Sequence, residues 1–146
     1  MILVDTTVWI DFFRGRDTVQ VKALERLIGE NENICVCGVI LTEVLQGIRE
    51  DKDYSEASIR FESFIHLPMG PRTFKKAAEI YRMLRRTGVT IRNAVDCMIA
   101  AVAIEHDIPL LHNDRDFIPI SQHCGLKVVD TDNPPTNKST VRLRRR

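Results

Sequence analysis

Four acidic residues stand where an acid is costly to place: Asp5, Glu43, Asp96 and Asp114. Asp5 closes the apolar run Ile2-Leu3-Val4. Glu43 interrupts Val39-Ile40-Leu41-Thr42-Glu43-Val44-Leu45, and Asp96 interrupts Ala94-Val95-Asp96-Cys97-Met98-Ile99-Ala100-Ala101. Asp114 follows Pro109-Leu110-Leu111 by three residues. An ionised carboxylate inside an apolar stretch needs a partner charge, hydrogen bonds or a metal. If the four converge, each raises the others' pKa and some must take up a proton. A divalent cation removes that repulsion. An oxygen-only site suits Mg2+ or Mn2+, and Mg2+ keeps water and substrate phosphate among its ligands. One or two such ions can activate a water, polarise a phosphodiester and stabilise the leaving oxygen, which is nuclease chemistry.

Each acid also has an ordinary explanation. Asp5, followed by Thr6-Thr7, could cap a helix or close a turn. Glu43 could be a solvated helix residue, Asp96 a favourable charge near a helix N-terminus, and Asp114 the start of an Asx-turn. The joint placement of the four favours a shared site, and that placement depends on the elements carrying them.

Hydrophobic periodicity supplies those elements. Apolar runs predict strands over 2–4, 33–37, 66–69, 109–111 and 126–129. Helical spacing predicts helices over 8–14, 18–29, 39–49, 54–65 and 94–105, with a helical or irregular piece over 117–123. Another helix starts at Pro71 and stops at Gly88. Its apolar set is Phe74, Ala77, Ala78, Tyr81 and Leu84; that of 54–65 is Ile59, Phe61, Phe64 and Ile65. Strands alternating with helices imply an α/β fold, a parallel sheet covered on both faces. Functional groups of such sheets gather outside the carboxyl ends of the strands. Asp5 and Asp114 fall there directly, and the neighbouring helices can bring Glu43 and Asp96 to the same edge.

On these elements the motifs line up with a known family. The opening Met1-Ile2-Leu3-Val4-Asp5-Thr6-Thr7-Val8-Trp9-Ile10-Asp11 resembles that of PIN-domain toxins of the VapC type. The Glu43 helix, Asp96-Cys97-Met98-Ile99-Ala100-Ala101, and Leu111-His112-Asn113-Asp114-Arg115-Asp116-Phe117 are similar to that family's next three motifs, in the same order. The resemblance covers residues 1–130. It implies a three-layer α/β/α sandwich, dependence on Mg2+ or Mn2+, and RNA cleavage with a metal-activated water. It also implies a homodimer neutralised by a cognate antitoxin that covers the site. Carried over, Asp5, Glu43 (directly or through water), Asp96 and Asp114 are the metal-binding acids. Thr7 matches a hydroxyl position near the site, and Asp116 matches the acid of the family's Asp-Phe pair, a lesser candidate because capping explains it equally well. His112 departs from the commoner Thr or Ser and reads as a strand-end polar residue more readily than as a substrate contact. Arg92, four residues before Asp96, is the first candidate for holding RNA phosphates, with Arg85 and Arg86 next. Those two could equally form a solvated helix end that complements the dipole.

Composition sets the frame. A chain of 146 residues suits one domain, here residues 1–132, followed by a polar, basic tail over 133–146. No apolar stretch approaches membrane-spanning length, and the N-terminus lacks the basic region of a secretory signal, so a cytoplasmic protein is expected. Cys35, Cys37, Cys97 and Cys124 form no C-x-x-C; Cys35 and Cys37 read as small apolar residues on one face of a buried strand. Net charge is +1, but Lys138, Arg142, Arg144, Arg145 and Arg146 all lie in the tail, leaving sixteen Lys and Arg against twenty Asp and Glu in the body. A body of net −4 with a basic tail is no simple DNA-coating protein; it concentrates carboxylates.

Two rival readings lose ground. A phosphatase of the haloacid dehalogenase type needs a second Asp two residues after the first, where this chain has Thr7. A PIN-like scaffold that binds RNA or a partner without cutting would lack one or more of the four acids, and all are present. No Walker loop, H-E-x-x-H, G-x-S-x-G or dinucleotide fingerprint occurs.

Overall fold

A computed structural model of the chain describes residues 1–132. The strands are short and apolar: β1 (Ile2–Val4), β2 (Ile34–Cys37), β3 (Ile65–Leu67) and β4 (Leu110–Leu111). They form one parallel sheet in the order β3-β2-β1-β4. Every residue of β1, β2 and β4 is buried, so both faces of the sheet are covered. The cover is supplied by α1 (Thr6–Phe13), α2 (Val19–Gly29), α3 (Gly38–Gln46), α4 (Asp51–Glu62), α5 (Pro71–Arg86), α6 (Ala94–Glu105) and α7 (Phe117–Cys124). Helix α5 lies along α6 with α7 against both, while α1 packs on α2 and α3, and α3 on α4. The result is the expected three-layer α/β/α sandwich. None of the described helices is long and apolar enough to cross a membrane.

Three expectations need correction. The stretch 126–129 is not a strand; it makes a single parallel bridge, Leu110 to Val128. β4 is only two residues long and offers one pairing, after which the chain turns, with the Asp132 N–H donating to Asp130 Oδ1 at 3.0 Å. The helix expected over 54–65 is shifted. α4 starts at Asp51 and stops at Glu62, and Ile65 belongs to the edge strand β3. Ile59 is 67% exposed and Ile65 38%, because α4 docks through Ala57 and Phe61, one turn apart. The third correction concerns the face of α5. Phe74 and Ala78 are exposed, and the buried set is Thr73, Ala77, Ile80 and Leu84. A polar member hid this stripe: the Thr73 hydroxyl donates to Glu105 Oε2 at 2.8 Å and accepts from the Gly70 N–H.

Two features of the core hold the catalytic edge rigid. Trp9 of α1 is fully buried against Phe61 and Phe64, with ring centroids 4.9 and 5.2 Å away, so α1 is pinned directly after β1. Helix α6 is buried almost all round through Cys97, Ile99, Ala100, Ala101, Val102 and Ala103. Cys35 and Cys37 are buried in β2, and all four cysteines are free thiols acting as small apolar residues.

Candidate metal centre

The carboxyl edge of β1 and β4 carries the acids. Asp5 caps α1 from an extended backbone; its Oδ2 accepts from the Thr7 N–H at 3.1 Å and from the Thr7 hydroxyl at 2.6 Å. The capping explanation of Asp5 therefore holds, and does not compete with a role at the site. The Thr7 hydroxyl in turn accepts from the Asn113 N–H at 3.1 Å, which ties the β1–α1 turn to the loop after β4. Asp5 is 2% exposed, and burial pushes its carboxyl up to about 6, against the hydrogen bonds from Thr7 and Thr6.

Asp114 also does what its local sequence suggests. Its Oδ1 accepts from the Asp116 N–H at 2.9 Å, an Asx-type turn that starts α7. The Asp114 N–H donates to His112 Nδ1 at 3.2 Å, and the His112 ring lies 5.0 Å from that of Phe117. His112 is a turn-shaping residue, and burial lowers its pKa below the ordinary value.

Asp96 sits in the first turn of α6, whose N-terminus is capped by Asn93 Oδ1 accepting from the Val95 N–H at 3.0 Å. Burial, then the charges of Asp114, Asp5, Asp116 and Glu43, push its carboxyl up to about 7. All five acids thus act in one electrostatic neighbourhood. Within it, Asp96, Asp114 and Asp116 bring carboxylate oxygens within 4.8 Å of one another. Asp116, the lesser candidate from the sequence, belongs to this tightest group, while Asp5 and Glu43 stand outside it.

Glu43, on α3, is held by a contact the sequence did not suggest. The Thr6 hydroxyl, almost fully buried, donates to Glu43 Oε1 at 2.8 Å across 37 positions of chain. A threonine beside a capping Asp carries no signal of such a reach. The basic candidates are exposed: Arg85 and Arg86 end α5, and Arg92 directly precedes the α6 cap. Arg85 lies over the Tyr81 ring, 5.7 Å from its centroid, while Arg92 makes no ion pair among the described residues.

This constellation has a counterpart among known proteins: the sequence profile of the PIN domain matches residues 2–121. The chain belongs to the PIN-domain family. VapC ribonuclease Mb1587 of Mycobacterium bovis is 34% identical, the match covering 88% of this chain and 98% of that protein. Ribonuclease VapC1 of Methanocaldococcus jannaschii is 33% identical over 88% of this chain and 87% of its own length. Among solved structures, VapBC2 from Rickettsia felis, bound to a DNA fragment from its promoter, superposes with a TM-score of 0.70 at 20% identity, covering 88% of this chain and 97% of that one. VapBC-1 from nontypeable Haemophilus influenzae gives 0.69 at 20% identity, over 91% of this chain and all of that one. This PIN domain is therefore of the VapC type.

The donor set of the PIN domain fits a hard divalent cation. Its three clustered ligand candidates are all carboxylates, partly or fully buried, and none is neutralised by an ion pair among the described residues. The raised pKa of Asp96 records the repulsion that a cation would remove.

Proposed function

We propose that this PIN domain is a metal-dependent endoribonuclease, the toxin of a toxin–antitoxin pair, with Mg2+ or Mn2+ as its cofactor. The observation that carries the reading is the group Asp96, Asp114 and Asp116, with oxygens within 4.8 Å at the carboxyl edge of a PIN-domain sheet. The names of the VapC ribonucleases at 33–34% identity support the activity. A solved toxin–antitoxin complex of the same fold from Klebsiella pneumoniae supports the partner. The homodimer comes with the family, and a chain of free thiols acting on RNA belongs in the cytoplasm.

In this reading residues 1–132 form the catalytic domain; the tail over 133–146 lies outside the described residues. Asp96, Asp114 and Asp116 hold the cation, and Asp5 and Glu43 complete the negative field around it. When bound, a hard divalent ion polarises a phosphoryl oxygen and lowers the pKa of water. The chain's own contribution is geometric. Asp5 and Asp114 are fixed to each other through the Thr7 hydroxyl and the Asn113 N–H, and Asp96 is held by the buried helix α6. Arg92, with Arg85 and Arg86, holds RNA phosphates beside the acids.

Incubation of the antitoxin-free protein with total cellular RNA and Mg2+ or Mn2+ tests the reading. Discrete fragments that vanish with EDTA are expected; intact RNA in the presence of folded, metal-loaded protein would favour a non-cutting RNA- or partner-binding scaffold. A finer expectation concerns Thr6. Removing its hydrogen bond to the Glu43 carboxylate in Thr6→Val costs a charge-assisted bond, and cleavage falls roughly tenfold. Thr6→Ser keeps the hydroxyl and retains the parent rate. Equal loss in both variants would make Thr6 a packing residue only.

A further inference from the structure

The described chain ends at the edge that carries the acids. The Leu110 N–H donates to the Lys127 carbonyl and the Val129 N–H to the Leu110 carbonyl, both at 2.9 Å, in a parallel bridge. Beyond Val128 the chain therefore runs in the direction of β4, whose own continuation is His112-Asn113-Asp114. Its next residues, Asp130 to Asp132, emerge on the side of the sheet where Asp5 and the Asp96, Asp114 and Asp116 group lie.

The C-terminal segment has the opposite charge to the body. Residues 133–146 contain Lys138, Arg142, Arg144, Arg145 and Arg146 and no acid. Residues 1–132 carry sixteen Lys and Arg against twenty Asp and Glu, with five of those acids concentrated at one edge. A polyanion approaching that edge is repelled, and the positions Arg85, Arg86 and Arg92 offset only part of the repulsion. Fourteen residues extend to at most roughly 45 Å, enough to run across the edge and along several nucleotides beyond it. The two apolar residues of the segment, Val141 and Leu143, are too few to form a core of their own.

We infer that the segment 133–146 is an RNA-binding arm that leaves the fold beside the acidic centre and lays its five cations along the phosphates of the substrate strand. The inference rests on the nuclease reading for the substrate, but not on catalysis for its test. The direction of the bridge places the root of the arm, and the charge asymmetry supplies the reason for it. Five cations on single-stranded RNA release counterions with a slope of about 0.7 each, so the arm accounts for up to about 3.5 of the slope of log K against log salt.

The experiment measures binding of a short single-stranded oligouridylate, in EDTA, across a salt series. The full-length protein is compared with a variant in which Lys138, Arg142, Arg144, Arg145 and Arg146 are all replaced by Gln, and with a variant ending at Asp132. The expected result is a slope shallower by two or more in both variants and affinity at least about tenfold weaker at low salt. Thermal melts matching the parent's attribute the loss to the arm, since the last core residue, Val129, is untouched. An unchanged slope overturns the inference. Tighter binding after neutralisation also overturns it, because the arm would then be occupying the acids of its own chain. If the parent binds RNA through the arm yet never cleaves it with Mg2+ or Mn2+, the nuclease reading fails and the arm stands.

Discussion

Asp96→Asn is expected to lower RNA cleavage by about a thousandfold while making the metal-free protein more stable at neutral pH. The two effects have one cause. Asp96 is 8% exposed and faces Asp114, Asp5, Asp116 and Glu43, so its ionised form is disfavoured until a cation arrives. A catalytic cation contributes several kcal/mol of charge stabilisation, and each ~1.4 kcal/mol is a factor of ten in rate. A neutral amide weakens that contribution at its source. Without metal, the same amide removes a strained buried charge and raises stability by about 1–2 kcal/mol. Activity and thermal melting, measured on the same preparation with and without EDTA, check both halves. A variant that loses activity and melts lower in EDTA would mean that Asp96 is a structural residue, not a strained ligand.

The second large effect is on pH and metal together. Asp5 and Asp96 have folded-state pKa values raised from 3.8 to about 6 and about 7. The fold prefers both groups protonated. Their contribution to stability is fully present below the unfolded value and is lost as pH rises through the folded values. The metal-free protein should therefore lose stability between about pH 4 and pH 7, contrary to the usual acid-labile pattern of paired carboxylates. Mn2+ or Mg2+ reverses the loss, because it favours the ionised acids. At about a hundred times its dissociation constant a ligand adds ~2.7 kcal/mol, roughly 5–10 °C in a domain of this size. That shift should be present near pH 8 and nearly absent near pH 5, where protons must be displaced first. Cleavage should rise over the same interval. Melting curves at the two pH values decide it: equal metal-induced shifts at both would show that the cation binds away from these acids.

Much of the fold was legible because its elements are short, apolar and cleanly punctuated. The runs 2–4 and 109–111 lie within one residue of β1 and β4, and the period of 94–105 is that of α6, buried on nearly every side. The misreadings have physical reasons. In α5 the buried stripe contains Thr73, whose hydroxyl is satisfied by Glu105, so polarity concealed the face. In α4 the exposed Ile59 results from a helix that meets the sheet edge through only Ala57 and Phe61. The stretch 126–129 has strand composition but finds only a two-residue partner.

By itself the sequence determined which residues carry the chemistry and roughly where. Asp5 and Asp114 lie at strand ends, and Glu43 and Asp96 interrupt apolar helices, because carboxylates in such stretches need a partner. Only the tertiary structure decided which oxygens meet. Asp116 joins Asp96 and Asp114 within 4.8 Å, Asp5 spends one oxygen on capping α1, and Glu43 is held by Thr6. Those choices depend on turn geometry and on contacts between segments as far apart as Thr7 and Asn113, 106 residues distant along the chain. Local periodicity reports the face a residue occupies; it carries no information about the few ångströms that separate one side-chain oxygen from another across a sheet edge.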